Sequence, residues 1–450
     1  MGARRQTLER MDTTQAWSNW AGDQRCSPTA VEHPGSAEEV AQAIARARSA
    51  GRTVRVAGAG HSFTEAVLTD GTLLHLDRMR RVLDVDRSSG LVRVEAGASL
   101  RELSDAMYEH GLAFENLGDV DVQSIAGATA TGTHGTGARL RNLSSGLHEI
   151  ELVDGAGATA TLSEASDPDG WRAARVSIGA LGVVIGVTLQ AVPAFTLEGI
   201  DSTAPLDEVL ASLDELAAAN DHFEFYVFPY SPLALTRTNN RVDRPPAPPS
   251  RPRAWIDEVL LRNHVFGLAC RAGRRAHGLI PHLNRLLARA SGTTRLVDRS
   301  YRVFASPRLV RFTEMEYALP REHTADALRA VLAMIEQRRL AVPFPIEVRF
   351  VAPDDALLSP AGGRETGYIA VHMYEGMEWE PYFRAVEEIM DGHGGRPHWG
   401  KRHFQSAETL APRYPEWERF QAVRDRLDPD GAFANSYVER VLGPPERKGS

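Results

Sequence analysis

Apolar positions recur along the chain with two different periods. From Ser36 to Gly51, Val40, Ile44 and Ala47 fall three or four apart, a helical stripe with Ser36 as its cap and Gly51 as its stop. A strand is predicted at residues 53–57, followed by shorter ones at LLHL, RVLDVD and LVRVEAG. A second helical stripe, Leu100, Leu103 and Met107, starts after Ser99 and stops at Gly111. Helices and strands are mixed without the regular alternation of a doubly wound sheet, so the pattern predicts an α+β fold. Later stripes at 206–216 and 325–335 predict further helices, and HFEFYVF, PIEVRF and GYIAVHMY predict strands.

Two stretches break this rhythm. Residues 176–195, VSIGALGVVIGVTLQAVPAF, are uncharged and about as long as a membrane span. They are rich in Gly and β-branched residues and carry Gln190 and Pro193, so a turn and a buried strand over 183–191 explain them better. Residues 118–137, GDVDVQSIAGATATGTHGTG, are nearly free of large apolar residues. Such a segment is expected to build no core, but it offers many backbone N–H groups to an anion such as a pyrophosphate. The Pro-rich run RPPAPPSRPR, 244–253, reads as an exposed loop, and no fixed-period repeat is present.

Composition narrows the class. A chain of 450 residues, 43% hydrophobic and 24% charged, is globular and long enough for two domains. A formal net charge of −8 argues against nucleic acid as the main partner. The basic run RRAHGLIPHLNRLLAR is read as solvated helix charge. Two cysteines build no disulfide framework, and Arg4-Arg5 precedes no apolar signal region. The expectation is a cytoplasmic protein without a transmembrane segment.

Candidate chemistry gathers in two glycine-rich loops and a few strands. VAGAGHSF, 56–63, carries His61, and GTHGTG carries His134. Gly58 and Gly60 begin a dinucleotide fingerprint, but Phe63 stands where its third glycine belongs, which excludes a standard NAD site. Glu347 and Arg349 lie two apart, as do His372 and Tyr374, so each pair projects from one face of its strand. His393, His398 and His403 match no standard zinc spacing, and no metal is expected.

Taken together, VAGAGHSF, TDGTLLHLDRM, VRVEAGASLREL and SIAGATATGTHGTG resemble, in order and spacing, the flavoproteins of the vanillyl-alcohol oxidase class. EVRFVAPDDALLSP, GGRPHWGKRH and LDPDGAFANSYVERVL resemble the sugar-1,4-lactone oxidases, the gulonolactone and arabinonolactone oxidase family. The resemblance runs from about Gly35 to Leu442 and is weakest between Leu197 and Thr313.

The resemblance implies a PCMH-type FAD-binding domain over 1–195, an antiparallel-sheet cap domain over 196–395, and a C-terminal segment, 396–450, that completes the flavin site. FAD would be held by Gly58, Ala59, Gly60, His61, Ser62, Ser124, Gly127, Thr131, Gly132, Thr133 and His134, with His61 joined covalently to it. Lys401 would sit beside flavin N1, with Arg349 acting on the same charge or on a substrate oxygen. Glu347 or His372 would take the hydroxyl proton. Ser124 and Tyr374 would touch substrate. Alditol oxidases carry a threonine in place of Tyr374, which favours an aldono-1,4-lactone over a linear polyol. The implied activity is oxidation of the lactone's C2 alcohol, with oxygen or another acceptor taking the electrons. The alternatives are an alditol oxidase and, from a different class, a catalytically silent flavin-binding module.

Overall fold

The computed structural model describes residues 16–445, so Arg4-Arg5 lies outside the described residues. Helix Ala37–Ser49 begins where the sequence places it. The Ser36 hydroxyl accepts the Glu39 N–H, and Val40, Ala43, Ile44 and Ala47 are buried on one face. It links Ala30–Glu32 to Val54–Ala57, and both strands run parallel to Thr72–His75 between them. Helix Leu100–Glu109 opens on a Ser99–Glu102 capping box and buries Leu100, Leu103 and Met107. These three pack with Val92 and Val94 of a five-stranded antiparallel sheet. The uncharged run contributes strand Val183–Gln190, the middle of that sheet, between Leu147–Val153 and Leu91–Glu95. Among the described residues no helix is long and apolar enough to cross a membrane.

The glycine-rich segment departs from expectation. It contains helix Ile125–Ala130, and Ile125 and Ala128 are buried in the first core. Small residues do not prevent burial there. They let the short helix lie close to its neighbours.

The second lobe is an eight-stranded antiparallel sheet. Its order is Thr294–Arg299, Thr196–Pro205, Leu233–Val242, His222–Val227, Ile346–Val351, Thr366–Tyr374, Phe312–Pro320, Arg396–Pro397. Helices Thr324–Gln337 and Glu380–Gly392 bury Val331, Ile335, Phe383 and Val386 with Val348, Ile369 and Val371 of the sheet. The strand Phe312–Pro320 was not anticipated, and it carries part of the site. The C-terminal segment divides its contacts. Arg396–Pro397 edges the large sheet, whereas helices Trp417–Leu427 and Ser436–Leu442 pack Phe420, Tyr437 and Val441 into the first core.

One buried cation fastens that return. Arg55 donates to the carbonyls of Ala66, Ile178, Gly179 and Phe433 at 2.6–3.1 Å, joining three separate segments to its own strand. Burial lowers its pKa to about 10, so it stays charged at neutral pH. Arg55→Met should leave these carbonyls unpaired and lower the unfolding free energy by at least about 3 kcal/mol. Denaturant unfolding checks this, and an unchanged midpoint would remove Arg55 from that role.

Candidate functional site

Two cavities meet at His61. The first, about 300 Å³, is lined by Gly58, Ala59, Gly60, His61 and Ser62 together with Ser124, Gly127 and Thr131. The loop leaves the end of strand Val54–Ala57 and approaches helix Ile125–Ala130 so closely that a Cβ on Gly58 would stand 2.5 Å from Ser124 Oγ. Gly60 has φ of +71°, which favours glycine. Among the described residues, the backbone N–H groups of Ala59, Gly60, His61 and Ser62 donate to no protein acceptor. Four successive unspent donors along a cleft form a cradle for an anionic group, as the diphosphate of a dinucleotide requires. The residues present therefore fit FAD.

The second cavity, about 140 Å³, shares His61, Ser62, Gln123 and Thr131 with the first. Its remaining wall comes from the large sheet. His61 sits at the junction, stacked on Trp20 with ring centroids 5.3 Å apart. Burial, helped by the positive charge of Lys401, pushes its pKa down to about 4, so the ring is neutral at physiological pH.

Strand alternation delivers the charged groups. Glu347 and Arg349 share a face of strand Ile346–Val351 and pair at 2.5 Å. Arg349 Nε also donates to Glu224 at 2.9 Å, and Nη2 lies 3.6 Å from Asp119. The Tyr226 hydroxyl stands between Glu224 and Glu347, 2.8 and 3.0 Å away. Glu347 is thus committed to a cation and a phenol. His372 is not. Its Nδ1 lies 3.1 Å from the Pro345 carbonyl and so carries the ring proton in the neutral form. Nε2 keeps a lone pair, 3.6 Å from Glu314. Glu314 in turn holds Lys401 Nζ at 2.5 Å. Burial opposes ionisation of Glu314, but Lys401 and His372 outweigh it and hold the carboxyl at about 2. Lys401 is positioned from the first lobe, since Phe63 N–H donates to Gly400 O at 2.8 Å and Lys401 Nζ lies 5.3 Å from the Phe63 ring centroid.

Other sequence-predicted residues are placed differently. Thr133 and His134 line the second cavity rather than the first, and Ser124 lines only the first. Gly132 lines neither and makes a turn at φ +75°. Tyr374 also lines neither: its ring stacks on Phe344 and lies under the Arg274 guanidinium, one strand repeat beyond His372.

His393 and His403 are spent elsewhere, near Ile389 O and the Tyr437 hydroxyl. His398 instead gathers with His134 and Glu316, with donor atoms within 4.8 Å of one another. His398 Nδ1 accepts the Gly400 N–H, so the neutral ring carries its proton on Nε2 and lacks a free ligating lone pair. The cluster reads as a hydrogen-bonded network in which His134 Nε2 faces Glu316 at 3.2 Å.

The sequence reading missed Glu224, Tyr226, Glu314 and Glu316. Each had a signal, because H-F-E-F-Y and T-E-M-E-Y place polar groups at alternate strand positions. Composition also points to Lys401: of the 51 Lys and Arg residues only Lys401 and Lys448 are lysines.

Residues 187–441 match the family model for D-arabinono-1,4-lactone oxidase, and residues 28–163 match the FAD binding domain model. An L-gulono-1,4-lactone dehydrogenase of Mycobacterium tuberculosis is 53% identical over 428 residues, covering 95% of this chain and 99% of that one. An L-gulonolactone oxidase of Bos taurus is 34% identical, covering 95% and 98%. An alditol oxidase of Streptomyces is 32% identical, covering 95% and 99%. Among solved structures, a cholesterol oxidase from B. sterolicum superposes with a TM-score of 0.79 at 18% identity, covering 96% of this chain and 97% of that one, a likeness of fold.

The Glu314–Lys401 pair makes a testable claim. Lys401→Met and Glu314→Gln should each cost about 2–3 kcal/mol by stranding a buried charge, whereas the double variant should cost clearly less than their sum. Because the Glu314 pKa is depressed on folding, the pair's contribution is present above the ordinary carboxylate range and is lost as pH falls toward about 2. A double-variant cycle in denaturant checks the coupling, and additive effects would dissolve the pair.

Proposed function

We propose, from the premise that the chain belongs to the D-arabinono-1,4-lactone oxidase family, that it is an FAD-dependent enzyme oxidising the C2 alcohol of an aldono-1,4-lactone. The observation that carries the reading is the available lone pair of His372 Nε2. It stands beside a buried carboxylate, in a sugar-sized cavity that opens onto the dinucleotide cleft. When bound, FAD supplies the acceptor for the electron pair and hydrogen that leave C2. The loop 58–62, with Gly127 and Thr131, would hold it, and His61, whose ring is neutral and nucleophilic, would carry it covalently.

The chain's own groups divide the remaining work. His372 Nε2 takes the hydroxyl proton, and Glu314 stabilises the imidazolium that results. Arg349 is fixed by three carboxylates through Nε and Nη2, while Nη1 takes part in none of these pairs and serves a substrate oxygen. Glu347 orients Arg349 rather than acting as the base. Lys401 provides a preorganised positive charge where negative charge develops. Phe63, Phe312 and Phe344 line the cavity and limit water. The free Cys26 and Cys270 support a cytoplasmic setting, with oxygen or another acceptor completing turnover.

A linear polyol is the second reading. A related alditol oxidase favours it, and Tyr374, the residue that argued against it, stands outside the cavity.

Anaerobic mixing with aldono-1,4-lactones should bleach the flavin absorbance, whereas alditols should not. The reverse pattern selects the polyol, and no bleaching with either class selects a silent flavin carrier. Arg349→Ala and His372→Gln should slow bleaching by roughly a hundredfold or more with the flavin spectrum retained. The His372→Gln loss should narrow at alkaline pH, where hydroxide substitutes for the base. Rates unchanged in both variants would return these residues to a structural role.

Acid-precipitated wild-type protein should stay yellow and His61→Ala protein should not. A colourless wild-type pellet would mean a dissociable flavin.

A further inference from the structure

Of the eleven large apolar side chains exposed among the described residues, eight fall between Trp255 and Leu286. Helices Trp255–Val265 and Phe266–Arg275 run on from one another, and Ile280–Ala290 follows after a short turn. Gly267, Cys270 and Gly273 face the core, as do Ile280, Asn284 and Ala288. The opposite side presents Ile256, Leu261, Val265 and Leu268, the last 59% exposed, with Leu286 at 63% on the following helix. Exposed arginines continue these stripes at helical spacing: Arg271 and Arg275 after Leu268, and Arg289 after Leu286.

The charge around this face is segregated. From 255 to 297 the sequence holds seven arginines against two acids, Asp257 and Glu258, in a chain whose formal net charge is −8. We propose that this face docks the protein onto an anionic lipid bilayer, with the Trp255 and leucine side chains at the acyl boundary and the arginines at the headgroups. Charge complementarity selects the occupant. A second copy docked through the same face would set arginines against arginines. None of the five apolar residues named above lines either cavity, so the face is separate from the site. Phe266, on the same helix, does line the second cavity, so docking would bring that cavity's wall to the headgroups. The proposal is independent of which substrate the enzyme takes.

Flotation of the flavin-loaded full chain with vesicles tests it. The chain should float with phosphatidylglycerol–phosphatidylcholine vesicles and not with phosphatidylcholine alone, and salt should weaken the association. Leu261→Ser/Leu268→Ser and Arg271→Glu/Arg275→Glu should each weaken it by at least about tenfold. Unchanged thermal unfolding and flavin absorbance in the variants would show that the fold is intact. A blue shift of tryptophan emission on anionic vesicles should vanish in Trp255→Phe. Failure of the wild-type chain to float, or equal flotation of the variants, overturns the proposal. So does a dimer in solution that Leu261→Ser/Leu268→Ser abolishes, which would assign the face to a second copy.

Discussion

Four carboxylates buried around one cavity set the terms for the rest of the site. Glu314, Glu316 and Glu347 line it and Glu224 backs it through Arg349; Glu224 and Glu347 lie on adjacent strands of the large sheet, Glu314 and Glu316 on a third beyond Thr366–Tyr374, and all four are nearly inaccessible to solvent. An isolated buried carboxylate is too costly to persist, so each requires a cation or a donor within reach. The compensation comes from different parts of the chain. Arg349 is on the sheet itself, His134 belongs to the first lobe, and Lys401 to the C-terminal segment. Charge neutrality in the cavity therefore fixes how three distant segments are placed around it.

The same condition explains His61. Its loop is drawn over the cavity by backbone bonds from Trp20 N to Gly60 O and from Phe63 N to Gly400 O, each 2.8 Å. Stacking on Trp20 removes water from the ring, and Lys401 adds a positive charge nearby. Both effects disfavour an imidazolium. A ring that remains neutral keeps a nitrogen lone pair, which makes the histidine chemically available rather than a further cation beside Lys401.

Local signals made part of this legible. Caps and stripes marked the helices that begin at Ala37 and Leu100, because those features are written within four residues of one another. The alternation of Glu347 with Arg349 was legible for the same reason. The burial of the acids on strand Phe312–Pro320 was not, since acidic and apolar residues alternate there as they do in a strand wet on one side. Only their partners, Lys401 at a separation of 87 residues and His134 farther still, reveal that the acids are inside. Tyr374 failed in the opposite sense. Period two puts it on the same face as His372, but the pattern does not say where along the strand the cavity ends.

The lysine at 401 follows from the same crowding. Arginine serves nearly everywhere else in this chain, including the buried Arg55 and Arg349, where several acceptors surround a planar fork. Around Lys401 the acceptors are closely packed: Glu314 is in contact, Glu316 lies two residues along the same strand, and His372 leans on Glu314. A guanidinium would claim both Glu314 oxygens in a bidentate pair and withdraw the carboxylate from His372. An ammonium is a compact charge that takes Oε2 and leaves Oε1 facing the imidazole. The lysine thus lets a single carboxylate serve a fixed cation and, through its other oxygen, the histidine proposed as the base.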